Sequence, residues 1–599
     1  MTTHAHPADY DVVIIGAGLA GLSLARQLLL RSATLRILHL EKRVQVPQAG
    51  IKVGEATVQV SGYYFSKVLE LEEHLMREHF LKYNLRFFWP TAGSDPAQVE
   101  TYSQSYIRKM SNVPSYQIAR LPFERELLRV NLERAEQYTL VTHALDVAVH
   151  LSTDGPAGAP HRVTWKKDGV TEGATATWVV DAAGRAHVLQ KGLGLTKPNT
   201  IRHGSSFLWV DGLVNVEQLT DMTPDQIRLN PQRSQTGHLP FWLATNHFCG
   251  EGFWFWVIPL HGATSLGLVY DTERVRPEDV NDPRKLVAWI CERFPLFQRD
   301  LPARTLLHHG SFRSHSHDAV RTIDRNRWAM VGEAGRFTDP LYSPGGDLIA
   351  IYNTLVTDAI LTGDPNELDA KVAMFEQLEQ AVYSAYVPSF TVSYDCLGDQ
   401  EVHSLKYVWE LTIYFAFYVF PFINDLFTDR RFIIAFLRAF GRLGRVNLSL
   451  QTFLKGYYDW KKTSREPQAS PVFFDFYEVQ ALSVAESTFY KVGVSIDEAR
   501  LTLEMQLDNT TMLARYIAAH VYAMVLHEPA AVTNRAFIES LDVARLEFEP
   551  AAMCAHYATY AGLTTAYPWP AGWNPEAAFV FRTASRAGQQ ETAAMAAVG

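Results

Sequence analysis

Residues 12–30 read VVIIGAGLAGLSLARQLLL, and the fold is decided there. Val12 to Ile15 is a β-rich apolar run, while Leu24, Leu28 and Leu30 recur at helical spacing. Between the two, Gly16, Gly18 and Gly21 occupy the positions of a G-x-G-x-x-G turn. The first glycine permits a tight turn, the second lets a pyrophosphate approach the backbone, and the third lets helix and strand pack closely. The helix N-terminus then faces the phosphates. A second apolar run, Leu35 to Leu40, ends at Glu41, twenty residues after Gly21, where a carboxylate is placed to accept ribose hydroxyls. This spacing predicts a dinucleotide-binding βαβ unit and leaves the choice between FAD and NAD open.

Composition limits what surrounds that unit. A chain of 599 residues exceeds one core and predicts two to four domains or subdomains. Hydrophobic residues at 47% and charged residues at 20% suit a globular protein, and aromatics at 12% favour apolar pockets. The net charge of -9 is spread without a basic stripe, which argues against nucleic-acid binding. Cys249, Cys291, Cys396 and Cys554 lie far apart and read as reduced thiols. The opening MTTHAHPADYDVVIIG lacks a secretory apolar region, so a cytoplasmic location is expected. Tyr407 to Ile423 is densely apolar but contains Glu410 and Pro421 and falls short of about 20 clean residues. It reads as a buried lid helix, with membrane-surface contact as the alternative. His315, His317 and Asp318 cluster without further ligands at a recognised spacing, so no metal is expected.

Two later segments select the cofactor. WVVDAAGR (178–185) and WAMVGEAGR (328–336) read as buried strands ending in small-residue turns. Both resemble segments that flank FAD in the p-hydroxybenzoate hydroxylase-like flavoproteins. The resemblance implies an α/β FAD-binding fold, with Asp181 and Glu333 as cofactor-binding acids; Glu333 replaces the usual aspartate. It also implies that Arg120, in YQIARLPFERELL, reaches toward the FAD phosphates. No second G-x-G-x-x-G follows a strand downstream, so reduced flavin is expected from a separate flavin reductase.

The stretch WFWVIP (254–259) points to the chemistry. Alternation puts Trp254 and Trp256 on one strand face and Phe253, Phe255 and Val257 on the other, the pattern of a strand covered on both sides. The W-x-W-x-I-P pattern resembles the marker of the flavin-dependent halogenases, the tryptophan-halogenase superfamily. Phe337, Pro340, Ser343 and Gly345 match a second marker, F...P..S.G. The resemblance implies that both indoles line the region between flavin and substrate. It implies that Ser343 caps a helix beginning near Pro344, with Asp347 in its first turn, and that Gly345 and Gly346 expose backbone N–H groups to a halide beside the flavin. The VGEAT segment (53–57), followed by LKYNLRFFW (81–89), implies that Lys82 is the essential lysine, with Lys52 as competitor. Reduced FAD, dioxygen and chloride or bromide would then yield hypohalous acid, which a buried lysine captures and directs to an electron-rich carbon. Tyr342 stands where tryptophan-specific members carry glutamate, which favours phenolic, pyrrolic or carrier-tethered acceptors over free tryptophan. The alternative is a flavin monooxygenase or desaturase on the same scaffold.

The expected organisation is an FAD-binding domain over residues 1–200 that returns at 321–365, around an inserted β-rich, substrate-side domain at 201–320. Residues 366–599 form a mainly helical C-terminal domain, with Tyr407 to Ile423 as roof of the substrate pocket. The closing TASRAGQQETAAMAAVG reads as a frayed tail.

Overall fold

A computed structural model describes residues 8–47, 52–152, 159–466, 468–563 and 579–583; the tail beyond residue 583 lies outside them. Among the described residues the two large sheets hold eight and nine strands.

The first sheet is built around the Tyr10–Ile15 strand. It lies between Ile37–Glu41 and Val170–Asp181, parallel to both, with Ile15 beside Leu40 on one side and Asp181 on the other. Val12 and Ile14 face the helix side of the sheet, while Val13 and Ile15 join a separate cluster with Trp165 and Trp328. Both faces are covered, so the strand is apolar at every position instead of alternating. Trp328–Met330 adds in parallel beyond Val170–Asp181, which returns the 321–365 segment to this sheet. The strand ends carrying Gly16, Glu41, Asp181 and Gly332 therefore meet at the carboxyl edge, where ligands bind in open α/β sheets.

The second sheet runs Leu306–Phe312, His203–Asp211, Ala263–Asp271, Phe253–Leu260, Thr245–Gly250, Leu85–Pro90, Tyr102–Tyr106, Val472–Asp475 and Arg582–Thr583. It is wider than the 201–320 segment. Leu85–Pro90 pairs in parallel with Thr245–Gly250, and Val472–Asp475 in parallel with Tyr102–Tyr106. Ladder hydrogen bonds join segments hundreds of residues apart, which local sequence pattern does not reveal. Trp254, Trp256 and Ile258 face the main core, and Phe255 and Val257 face a second core with Phe248, Leu266 and Phe297. Pro259 lies past the end of the Thr245–Gly250 ladder, so its missing N–H removes no bond on that side.

The C-terminal region stacks long helices with side-chain caps. Asp364 accepts from Asn366 and Glu367 at the start of Pro365–Thr391, Asp429 from Arg431 and Phe432 at Arg430–Ser464, and Ser495 from Glu498 at Ile496–Leu526. Gln400–Tyr414 continues through a π-turn at Phe415–Val419 into Phe420–Ile423, forming the roof. Glu410 is tolerated in it because the buried Lys406 Nζ donates to both carboxylate oxygens at 2.7 and 3.0 Å. Among the described residues, no helix is long and apolar enough to cross a membrane.

Candidate active site

The glycine turn is sterically forced. Gly16 has φ +103°, and a Cβ there would lie 2.6 Å from the Ala182 carbonyl oxygen; one on Gly21 would lie 2.1 Å from the Gly16 carbonyl oxygen. A Cβ on Gly18 would meet nothing within 4 Å, so the space beside it is open. Glu41 closes the turn, with Oε2 accepting from the Ala17 N–H at 2.8 Å and Oε1 from the Arg43 N–H at 3.0 Å. Asp181, like Glu41, is engaged by backbone amides. Its two oxygens accept from the backbone N–H groups of Ala183 and Leu189 at 2.9 and 2.8 Å, and it does not line the cavity. Burial raises its carboxyl to about 6, and its place is inside the turn, holding the WVVDAAGR loop against the sheet.

From this edge a cavity of about 210 Å³ opens toward the second sheet. Trp254 and Trp256 wall it on one side, and Gly332, Glu333, Pro340, Ser343, Gly345 and Gly346 on the other. Glu333 lines the space with its side chain open to it, and desolvation by the protein walls raises its carboxyl. Arg120 lies at the wall with Nη1 on the Val53 carbonyl at 2.8 Å and Nη2 on Glu124 at 2.6 Å, while its Nε has no partner. Lys52 ion-pairs with the same buried Glu124 and lines neither cavity, which separates it from the role the resemblance offered it. Trp256 is oriented by a chain of bonds: its Nε1 donates to Ser265 Oγ at 3.0 Å, and that hydroxyl donates to Glu55 Oε1 at 2.9 Å. Trp209 Nε1 donates to the same Glu55 oxygen at 2.9 Å. Trp254 lies 5.6 Å from Trp256 between ring centroids and 5.2 Å from His247, and its Nε1 has no partner.

Ser343 lines the cavity but departs from the sequence reading in one respect, its capping role. The helix does begin at Pro344, but Ser343 sits at φ +61° and its side chain makes no cap. Tyr342 before it sits at φ +67°. Two consecutive non-glycine residues in the left-handed region cost about 1–3 kcal/mol each, strain of a kind stored at functional sites. The uncapped first turn leaves the Gly345 and Gly346 amides without a side-chain acceptor, beside the cavity they line. The forced Gly16 turn, the acid at the end of the second strand, the unpartnered Arg120 Nε and the two indoles fit a flavin dinucleotide with its ring against the second sheet.

A larger cavity of about 420 Å³ lies on the far side of the wall made by Thr57–Val58 and Tyr342–Pro344. Its residues come from the first third of the chain, the start of the Pro344–Leu361 helix, the roof and the Arg430–Ser464 helix: Lys82, Asn84, Tyr342, Asp347, Tyr407, Glu410, Tyr414 and Phe440 among them. Lys82 is 2% exposed, and its Nζ donates to the carbonyl of Thr57, a residue that lines the smaller cavity, at 2.8 Å. An ammonium has three donors, and here one is met. Burial therefore lowers the amine to about 7, against a smaller opposing pull from Asp347. The same burial, with Lys82 nearby, holds His247 neutral down to about 3. Asp347 accepts the Ser61 N–H on Oδ1 at 2.8 Å, the Tyr414 hydroxyl lies close to the same carboxylate, and burial raises the carboxyl to about 6.

With that geometry in place, similarity to known proteins can be weighed. No family model matches the sequence. The chain is 26% identical over 449 residues to the flavin-dependent halogenase chlA of Dictyostelium discoideum, covering 70% of this chain and 73% of that protein. It is 25% identical over 406 residues to the tetracycline 7-halogenase of Kitasatospora aureofaciens, covering 62% and 67% respectively. This chain is a relative of the flavin-dependent halogenases. The solved halogenase PltM shares its fold, with a TM-score of 0.56 at 17% identity over 84% of this chain and 96% of that one. PltM has also been solved in complex with phloroglucinol and FAD.

Several residues of the site escaped the reading of the sequence. Glu55 lies inside the quoted VGEAT segment, and a glutamate in an otherwise small and apolar run was its signal. Asp347 had been assigned only to a helix first turn. Arg185 ends the WVVDAAGR segment and lines the smaller cavity, as do His247, for which no local pattern speaks, and His315, noted in the sequence only as part of a histidine cluster.

Proposed function

We propose that this protein is an FAD-dependent halogenase that uses chloride or bromide and acts on a phenolic or otherwise electron-rich aromatic ring. The observation that carries the reading is Lys82: a buried amine with one hydrogen bond, lowered to about 7, at the wall between the indole-lined cavity and a larger apolar one. Reduced FAD, with dioxygen and a halide, supplies an oxidised halogen. Gly16, Gly18, Gly21 and Glu41 would hold the nucleotide, Arg120 its phosphates, and Glu333 and Pro340 the flavin side of the cavity. The amides of Gly345 and Gly346 would bind the halide, with Ser343 shaping the turn that presents them.

Trp254 and Trp256 fill the space beside the flavin and exclude an organic acceptor from it, so substrate and cofactor meet only through the Lys82 wall. Near neutral pH a large fraction of Lys82 is the free amine, which can accept a hydrogen bond from hypohalous acid or take its halogen. Asp347 stands by as acceptor for a substrate hydroxyl. A separate reductase is the source of reduced flavin.

The test is turnover of the purified protein with photoreduced FAD, air and bromide on a panel of phenols and pyrroles, read by mass spectrometry. Brominated products that disappear without bromide are expected. Hydroxylated products formed regardless of halide would overturn the reading in favour of a monooxygenase.

A further inference from the structure

The outer face of the Arg430–Ser464 helix runs against the charge of the rest of the protein. The chain has a net charge of -9, but residues 430–458 hold five arginines and one lysine and no acid. Arg430, Arg431, Arg438, Arg442 and Arg445 are all exposed. Arg431 lies 4.0 Å from Asp429; the other four form no ion pair among the described residues. Glu504 and Asp508, exposed on the Ile496–Leu526 helix packed alongside, pair with none of them. Five guanidiniums gathered on one face repel one another, and nothing within the described residues neutralises them.

Helical spacing sorts this face into two adjoining rows. Arg438, Arg442 and Arg445 follow Arg431 at seven, eleven and fourteen residues, which places them in one line along the helix. Beside it, at the same spacing, run Ile434, Leu437, Gly441, Gly444 and Leu448. Ile434 is 40% exposed and Leu448 51% exposed. A Cβ added to Gly441 or Gly444 would meet nothing within 4 Å, so no other element of the protein lies over the apolar row. From Arg431 to Leu448 the two rows extend about 25 Å along a single helix.

We propose that this face docks the protein on an anionic lipid surface, with the helix lying flat in the headgroup layer. Guanidinium forks match phosphate oxygens bidentately, which answers the unpaired arginines. The isoleucine and leucines, on the neighbouring row, enter the acyl boundary, as the apolar side of an interfacial helix does. A straight double row of this length suits a flat layer that is charged at its surface and apolar just beneath. The assignment is independent of the reaction at the flavin site.

The test is co-sedimentation of the FAD-loaded full chain with vesicles of phosphatidylcholine alone and of phosphatidylcholine mixed with phosphatidylserine. Binding is expected to the mixed vesicles only, and to weaken as salt is raised. Each arginine at an anionic surface strengthens binding about fivefold, so Arg438→Gln/Arg442→Gln/Arg445→Gln should lose on the order of a hundredfold. Its melting temperature should not fall, because glutamine is a comparable helix former and no ion pair is removed. Ile434→Ser/Leu448→Ser should lose on the order of tenfold, a loss that salt does not reproduce. Arg202→Gln/Arg228→Gln/Arg313→Gln removes the same charge from exposed arginines elsewhere and should bind as the parent does. Should the first triple variant fail to fold, Arg438→Gln alone should show the fivefold loss.

Equal binding to both vesicle types, no binding to either, or a triple variant at 438, 442 and 445 that binds like the parent would overturn the proposal. Retention on immobilised polyglutamate without vesicle binding would overturn the lipid surface and transfer the face to an acidic protein. An equal loss in the control triple variant would reduce the effect to net charge and overturn the role of this helix.

Discussion

Lys82→Met should make the protein more stable near neutral pH while ending product formation. In the folded chain the amine sits at about 7 against an ordinary 10.5. Because the folded value is the lower one, the unfolded chain binds more protons between the two. Stability therefore rises with pH across about 7 to 10.5, and the full penalty of the buried charge is present below about 7. At about 1.36 kcal/mol per unit, that penalty is on the order of 4–5 kcal/mol. Methionine removes it at similar length, but leaves the Thr57 carbonyl without its donor, a loss of about 1–3 kcal/mol. The net expectation is a variant more stable by about 1–3 kcal/mol near pH 7, an advantage that shrinks as pH rises and reverses by about pH 10. Asp347, raised to about 6, loses the lowering pull of Lys82 in the variant and titrates higher there, which adds its own pH dependence at the low end of the range.

The assay is chemical unfolding of FAD-loaded parent and variant at a series of pH values upward from about 6.5, with product formation measured on the same preparations. A variant less stable than the parent near neutrality, by an offset that does not change with pH, would refute the account of Lys82 as a desolvated amine. A lysine retained only for packing would give that result.

Two further outcomes follow from the geometry. Asp347→Asn removes the carboxylate that draws the Lys82 proton inward, so the amine should fall further below 7 and the acid limb of the kcat/KM profile should move to lower pH; an unmoved limb would show the two groups to be uncoupled. Gly16→Ala places a Cβ 2.6 Å from the Ala182 carbonyl at φ +103°, which should destabilise the turn by about 1–3 kcal/mol and abolish retention of FAD. A variant that purifies with stoichiometric flavin would contradict the forced turn.

The nucleotide half of the protein was legible because its constraints are local. A buried parallel strand, three glycines and an acid at fixed spacing answer to steric demands that act over a few dozen residues. The indole pair was legible for the same reason: alternation along Phe253–Leu260 fixes which side chains share a face, and both faces proved to be buried. Local reading failed where backbone geometry, not residue type, set the outcome. Asp181, found where a cofactor acid was expected, is consumed by two amides of its own loop, and Ser343, a cap by residue type, is held at a φ where its hydroxyl cannot reach the helix. The second sheet outgrew the 201–320 segment because strands at Leu85–Pro90 and Val472–Asp475 pair into it, and ladder partners leave no mark on the residues between them.

By itself the sequence determined that a dinucleotide site exists and which two markers accompany it, since glycine geometry and strand period are properties of the chain's own covalent neighbourhood. Tertiary structure decided how the two candidate lysines differ. Lys52 and Lys82 are the same side chain, one adjoining the VGEAT segment and one well beyond it, but Lys52 has a buried carboxylate beside it and Lys82 has one carbonyl and a mostly apolar cavity. An amine's protonation is set by the solvent and charges that surround it, and those are assembled only when the roof helices of the last third of the chain close over the first.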